Sequence, residues 1–160
     1  MNAQVTPITT PEILTQVEAD HVAEAIQAAG CAVSRIEHDG VVRLHSASHG
    51  VGFQVLWGNT ADRRHFADFT LSCPVRVQGD ALPDTLLAEW QATKRFARVA
   101  RHGNFLVLEM DVLAAGGVTR GHLAVSLQLW TQMMGEFFIF LRNQHTADAA
   151  EAPAGERAAA

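Results

Sequence analysis

The chain is poor in cysteine, with only Cys31 and Cys73 among its 160 residues. Two cysteines cannot form a disulfide scaffold, and these two lack the CxxC spacing of zinc and redox sites. Both lie among apolar residues, which predicts buried free thiols. Long hydrophobic runs are also missing. The longest, Phe137 to Leu141, is too short to span a bilayer, so no membrane association is expected.

The chain has no excess of positive charge, and its first residues do not resemble a signal peptide. The formal net charge is −5 at pH 7, and nucleic-acid binding needs clustered Lys and Arg, so no general affinity for nucleic acid is expected. The N-terminal sequence MNAQVTPITTPEIL has neither the basic start nor the apolar block of a signal peptide, which predicts a cytoplasmic location. Instead, 48% of the residues are hydrophobic and 18% are charged, a composition typical of one folded domain.

The first half of the chain predicts one helix followed by strands. Thr9-Thr10-Pro11-Glu12 combines an N-cap, a proline at the first helical position and an early acid, and Gly30 is suited to the end of that helix. From residue 32 the apolar period changes to two, and Asp39-Gly40 is the pair that a type I′ hairpin turn needs. Pro74 cannot donate a ladder hydrogen bond, so it predicts a sheet edge or a bulge. The predicted strands are 32–38, 41–47, 51–57 and 68–77.

The second half predicts a helix, a hairpin and a long final helix. The second helix begins at Pro83-Asp84 and has Lys94 and Arg95 in its last turn, where the helix dipole favours cations. Strands are predicted over 96–101 and 105–113. Thr119 is the predicted cap of the last helix, which is predicted to run to about Asn143.

The predicted order of elements, α-β-β-β-β-α-β-β-α, indicates an α+β fold in which helices flank an antiparallel sheet. Residues 9–145 are expected to form a single domain. Residues 1–8 are expected to be flexible, and 146–160 to be a disordered Ala-rich tail.

Three stretches of the sequence resemble the YbjN family, described as bacterial sensory transduction regulators. They are the strand GFQVLWGN at 52–59 after the helix ending in Gly30, WQATKRF at 90–96, and FLVLEMDVLAAGGVT at 105–119 before a helix centred on Trp130. The resemblance implies a fold like that of type III secretion chaperones, which commonly pair into dimers. It also implies a regulatory or chaperone-like role, and it supplies no catalytic residues.

The last helix is apolar over most of its circumference. One row, from Leu123 to Leu141, is expected to face the core. A second row holds Val125, Leu129, Met133 and Phe140, and two interpretations of it stay open: further core, or the interface of a homodimer or a protein partner.

Glu109 and Asp111 are the carboxylate pair considered as candidate catalytic residues. They lie two residues apart on one face of a predicted strand, about 7 Å from each other. That spacing suits general acid–base chemistry, but Arg98 and Arg101 on the preceding strand favour cross-strand ion pairs. Together with Lys94 and Arg95, these arginines form a basic cluster that lacks the interleaved aromatics of a nucleic-acid site.

Neither the histidines nor the glycines predict a cofactor or metal site. His45 and His49 are four residues apart, but on a strand end and a turn, and two further zinc ligands are lacking nearby. Gly116-Gly117 lacks the context of a phosphate loop, and a turn with positive φ explains both glycines.

The sequence therefore predicts a non-enzymatic protein-binding domain without metal or cofactor, acting as a homodimer with an unknown protein partner. The alternative is a small-molecule sensor or an enzyme with a pocket between the sheet and the last helix. In that alternative, Glu109 and Asp111 lie at the mouth of the pocket.

Overall fold

The computed structural model describes residues 9–77 and 84–151, and the side chains as far as residue 144. It confirms the α+β class and the predicted order of elements. The elements are α1 (Ala19–Ala28), β1 (Val33–His38), β2 (Val41–Ser48), β3 (Val51–Trp57), β4 (Asp68–Arg76), α2 (Asp84–Thr93), β5 (Arg98–His102), β6 (Phe105–Leu113) and α3 (Arg120–Glu151).

The strands form one antiparallel sheet of six strands in the order β1-β2-β3-β4-β6-β5. Tight hairpins connect β1 to β2 and β2 to β3. The predicted Asp39-Gly40 turn is confirmed, because both residues have positive φ, 52° and 76°. His49 and Gly50 repeat the same geometry one hairpin later, at 53° and 75°, as a type I′ turn requires.

All three helices pack on one face of the sheet. The strands alternate between this core face and the opposite face; on β6, for example, Leu106, Leu108, Met110 and Val112 point into the core. The largest side chains enclosed there are Trp90 from α2 and Trp130 from α3, both fully buried. We call the opposite side of the six strands the open face, since no helix among the described residues packs on it.

The predicted start of the first helix is wrong. Residues 9–18 are not helical, and α1 begins at Ala19, where the Glu18 backbone N–H donates to His21 Nδ1 at 3.1 Å. The preceding segment instead pairs with distant chain, because Leu14 bridges to Val118 and Val17 bridges to Phe66. The backbone of this segment is hydrogen-bonded to these distant residues, and the side chains of Leu14 and Val17 are buried. Tertiary pairing therefore overrides the local helix signals of Thr9 to Glu12.

Pro74 is not on an edge strand, since β4 lies between β3 and β6. However, β3 pairs with β4 only between Phe69 and Ser72. Pro74 lies beyond the last of these pairs and pairs with Val107 of β6 on its other side. One side of β4 is therefore free of a ladder partner at this residue, which is the local condition that proline needs.

Two helix ends also differ from the prediction. Helix α2 ends at Thr93, so Lys94 and Arg95 follow it instead of forming its last turn. Helix α3 continues to Glu151, past the predicted end at Asn143 and through 146–151 of the predicted tail. The predicted flexible residues 1–8, the break at 78–80 with Pro83, and residues 152–160 lie outside the described chain. Within the described chain no helix is long and apolar enough to cross a membrane.

Candidate functional site

The open face carries a polar row that crosses all six strands. Strand register aligns its members side by side: Ser34, His45, Gln54, Ser72, Glu109 and Arg98. Large apolar side chains lie on the same face and stay exposed, among them Leu56 (41%), Phe105 (43%) and Leu113 (62%). An exposed apolar face next to fixed charges is typical of a surface that meets another molecule.

Arg98 holds both carboxylates that the sequence singled out. One of its terminal nitrogens lies 3.0 Å from Glu109 Oε2 and 3.2 Å from Asp111 Oδ1, and the other donates to Asp111 Oδ2. Thr70 Oγ1 donates to Asp111 Oδ1 at 2.6 Å. The predicted cross-strand pairing is thus confirmed for Arg98, whereas Arg101 lies opposite Leu106 in the register.

This environment keeps Asp111 ionised. The hydrogen bond from the Arg98 guanidinium lowers the pKa of the Asp111 carboxyl, and the hydrogen bond from Thr70 lowers it further. A general acid or base at neutral pH needs a pKa near that pH, so the geometry favours an ion pair over catalysis. Glu109 and Asp111 also point away from α3, which packs on the opposite face of β6. They therefore do not lie between the sheet and the last helix.

The four α3 residues predicted as an interface differ widely in burial. Met133 belongs to the core of a single copy, where it is only 5% exposed. Leu129 and Phe140 are half-buried against the core, and the Phe140 ring packs edge-on against Trp90 at 5.4 Å. Of the four, Val125 alone is exposed, with 61% of its surface accessible. The row is therefore not one continuous apolar surface.

The histidines singled out in the sequence lie apart from each other. His45 is on the open face, whereas His49, in the β2–β3 turn, lies 2.9 Å by Nε2 from the backbone oxygen of Thr131. Within the described residues no three His, Cys, Asp or Glu side chains are grouped to hold a metal ion. Gly116 and Gly117 have φ of 92° and 107°, which confirms the predicted turn.

The two thiols are free, as predicted, but only one is fully buried. Cys73 lies in the core, and burial raises its pKa to about 11, so it is an unreactive thiol at neutral pH. Cys31 is half-buried.

The basic cluster is engaged within the protein. Lys94 Nζ lies 2.8 Å from Glu136 Oε2 and 5.8 Å from the centre of the Trp90 ring, and Arg95 lies over the Phe96 ring at 4.9 Å. Arg98 is held by the two carboxylates. Lys94, Arg95 and Arg98 thus each contact another side chain of the same chain.

The structure has a cleft between β2 and β3 that the sequence did not predict. The two strands pair only as far as His45 and Gln54. Beyond that point the Trp57 indole N–H donates to the Val42 backbone oxygen at 2.7 Å, so a side chain spans the gap where a ladder bond would otherwise lie. The opening has a volume of about 370 Å³. Its lining consists of His38, Asp39, Val41, Arg43, His45, Gln54, Val55, Leu56, Trp57 and Arg63.

The loop between β3 and β4 supplies Arg63 and a second polar cluster. Thr60 Oγ1 accepts the backbone N–H groups of Asp62 and Arg63. His65 lies between two carboxylates, with Nδ1 2.6 Å from Asp62 Oδ2 and Nε2 3.1 Å from Glu18 Oε1. The Asp62 hydrogen bond raises the pKa of His65, and the backbone N–H of His65, followed by that of Arg64, lowers the pKa of Asp62.

A family model for YbjN, described as "Putative bacterial sensory transduction regulator", matches residues 18–142. The match spans the domain from the N-cap of α1 to the last third of α3. No curated protein matches the chain.

Proposed function

Because this chain belongs to the YbjN family, whose description is that of a regulator, we propose that it is a non-enzymatic protein-binding regulator that acts as a homodimer. One observation carries this proposal: no helix among the described residues packs on the open face of the sheet, which presents Leu56, Phe105 and Leu113 beside fixed charges. The proposal includes a cytoplasmic location. A fold and role like those of type III secretion chaperones stay predictions from the family resemblance.

The size of the open face supports a second copy as its partner. Six strands about 4.8 Å apart, each about 24 Å long, give a face on the order of 700 Å². Stable protein interfaces bury about 800 Å² on each partner. Sheets also pack face to face with their strands roughly aligned, so two open faces can meet around a two-fold axis.

The charges on the open face fit such self-association. Arg98 lies next to Glu109 and Asp111 in the central rows, while Arg76 and Asp68 lie at opposite ends of β4. A face that carries both signs can place each charge near an opposite charge of the second copy, as an isologous interface requires. The outer side of α3 is the rival interface, although Met133 there is already buried within one copy.

Light scattering during gel filtration, over a concentration series, tests the proposal. We expect a mass of twice the 17.3 kDa chain. Leu113→Glu should give a folded monomer, because a charge buried in a contact costs its desolvation. Val125→Glu is the matched control, since Val125 on α3 and Leu113 are equally exposed, at 61% and 62%.

The outcomes separate the two surfaces. A monomer with Val125→Glu and a dimer with Leu113→Glu would assign the interface to α3. A wild-type chain that is monomeric at every concentration would refute the homodimer. Circular dichroism of both variants shows whether the fold is kept, which we expect because both side chains are exposed.

A further inference from the structure

The cleft between β2 and β3 concentrates positive charge in an acidic protein. Arg43 and Arg63 both line it, and neither guanidinium has an ion pair or hydrogen bond with any described residue. The lining also includes His38 and His45. Asp39 is the one carboxylate in the lining, and it pairs with His38 Nε2 at 3.2 Å. Both arginines are therefore available to an anion.

The rest of the lining is apolar or hydrogen-bonding. Leu56 and Val41 contribute aliphatic side chains, and the Trp57 ring is fixed by its bond to Val42 and by stacking on Phe66 at 4.4 Å. Gln54 offers an amide donor. A volume of about 370 Å³ lies at the lower end of the range for small-molecule sites, which combine apolar walls with a few convergent polar groups.

We propose that this cleft binds a small organic oxyanion, with its charged group between Arg43 and Arg63 and its apolar part against Leu56 and Val41. Guanidinium groups recognise carboxylates and phosphates through paired, charge-assisted hydrogen bonds, which makes either head group compatible with the two arginines. The divergence of β2 from β3 provides the space. The cleft lies on the open face and shares Leu56 with the proposed dimer contact, so a ligand and a second copy would compete for it. The proposal does not rest on the homodimer, and the monomeric Leu113→Glu variant tests it separately.

Proton–nitrogen NMR of the 17.3 kDa chain provides the test, with phenyl phosphate, benzoate and inorganic phosphate as probes at millimolar concentrations. Saturable shifts are expected at residues 41–45, 54–57 and 63 with phenyl phosphate or benzoate. The tighter of the two identifies the head group. Inorganic phosphate should bind more weakly because it lacks the apolar part.

Variants assign the binding to the two arginines. Arg43→Gln and Arg63→Gln should each weaken binding about tenfold. Both side chains are exposed, so the fold should be kept. Arg76→Gln is the control, because Arg76 is an exposed arginine on the same face outside the cleft, and its loss should leave the affinity unchanged.

Three results would overturn the proposal. They are the absence of saturable shifts at the cleft with both organic probes, equal affinity in the Arg43→Gln/Arg63→Gln double variant, or an equal loss in Arg76→Gln. The same titration on Leu113→Glu separates this site from the dimer. Binding by a monomeric variant would support the cleft whatever the oligomeric state.

Discussion

His49 Nε2 donates a hydrogen bond to the backbone oxygen of Thr131 at 2.9 Å, which fastens the β2–β3 turn to the middle of α3. The contact depends on a glycine one helical turn later. A Cβ placed on Gly135 would lie 3.0 Å from His49 Nε2 and 3.1 Å from its Cε1. The imidazole therefore occupies the space that a side chain on Gly135 would need.

Substitution of Gly135 tests this arrangement. In an ordinary helix interior, Gly→Ala stabilises by about 1 kcal/mol. In the wild type we expect Gly135→Ala to raise the free energy of unfolding by clearly less than this, because His49 must shift. In a His49→Asn background we expect the full gain of about 1 kcal/mol. Asn is chosen because it tolerates the positive φ of 53° at this position. Urea unfolding of the four proteins measures the coupling, and strictly additive effects would show that the contact is unimportant.

Two fully buried tryptophans offer a matched comparison. Trp90 Nε1 donates to the Ala97 backbone oxygen at 2.9 Å, whereas Trp130 Nε1 is buried without a partner among the described residues. Trp90→Phe removes a satisfied hydrogen bond, and Trp130→Phe removes an unsatisfied donor. We expect Trp90→Phe to lower the free energy of unfolding by about 1–3 kcal/mol more than Trp130→Phe does. Equal losses in urea unfolding would contradict this.

The cluster of His65, Asp62 and Glu18 makes stability depend on pH. The pKa of His65 is raised in the folded protein, chiefly by the hydrogen bond to Asp62. The contribution of protonated His65 to stability is therefore complete below the unfolded pKa of about 6.5. It is lost as the pH rises through the pKa of His65 in the folded protein. We expect Asp62→Asn to return the His65 pKa toward its ordinary value and Glu18→Gln to have a smaller effect. NMR titration of the imidazole measures both effects, and an unchanged His65 pKa in Asp62→Asn would refute the assignment.

The pair formed by Arg98 and Asp111 is expected to contribute little to stability. Their side chains are 46% and 59% exposed, so Asp111→Asn should change the free energy of unfolding by less than about 1 kcal/mol. The Asp111 pKa is lowered in the fold by Arg98, so the contribution is lost as the pH falls through the folded value. Carbon NMR should show the Asp111 pKa rising in Arg98→Gln. Thr70→Val, which removes the second hydrogen bond, should raise it less.

Local sequence determined the strands and their turns. The two-residue period specifies which side chains share a face, and Asp39-Gly40 accepts the positive φ that joins β1 to β2. The ion pair between Arg98 and Glu109 follows from the same local information, because β5 and β6 are neighbours in one hairpin. Such features depend on residues that are close in the chain, and they could therefore be predicted.

Features that depend on residues far apart in the chain could not be predicted from the sequence. The segment around Leu14 has the signals of a helix start, but it pairs with Val118, more than a hundred residues away, and becomes extended. The helical spacing left Met133 as either a core or an interface residue, and it is buried because all three helices share one face of the sheet. Arg63 meets the cleft with Arg43 only because the β3–β4 loop folds back beside the hairpin.

The sequence by itself thus determined the elements, their order and the alternation of their faces, since period and turn chemistry act over a few residues. Only the tertiary structure decided which face stays open, which apolar rows enter the core and which two arginines line the same cleft. Those relationships arise from the packing of whole elements, and a one-dimensional pattern does not specify the position of one element against another.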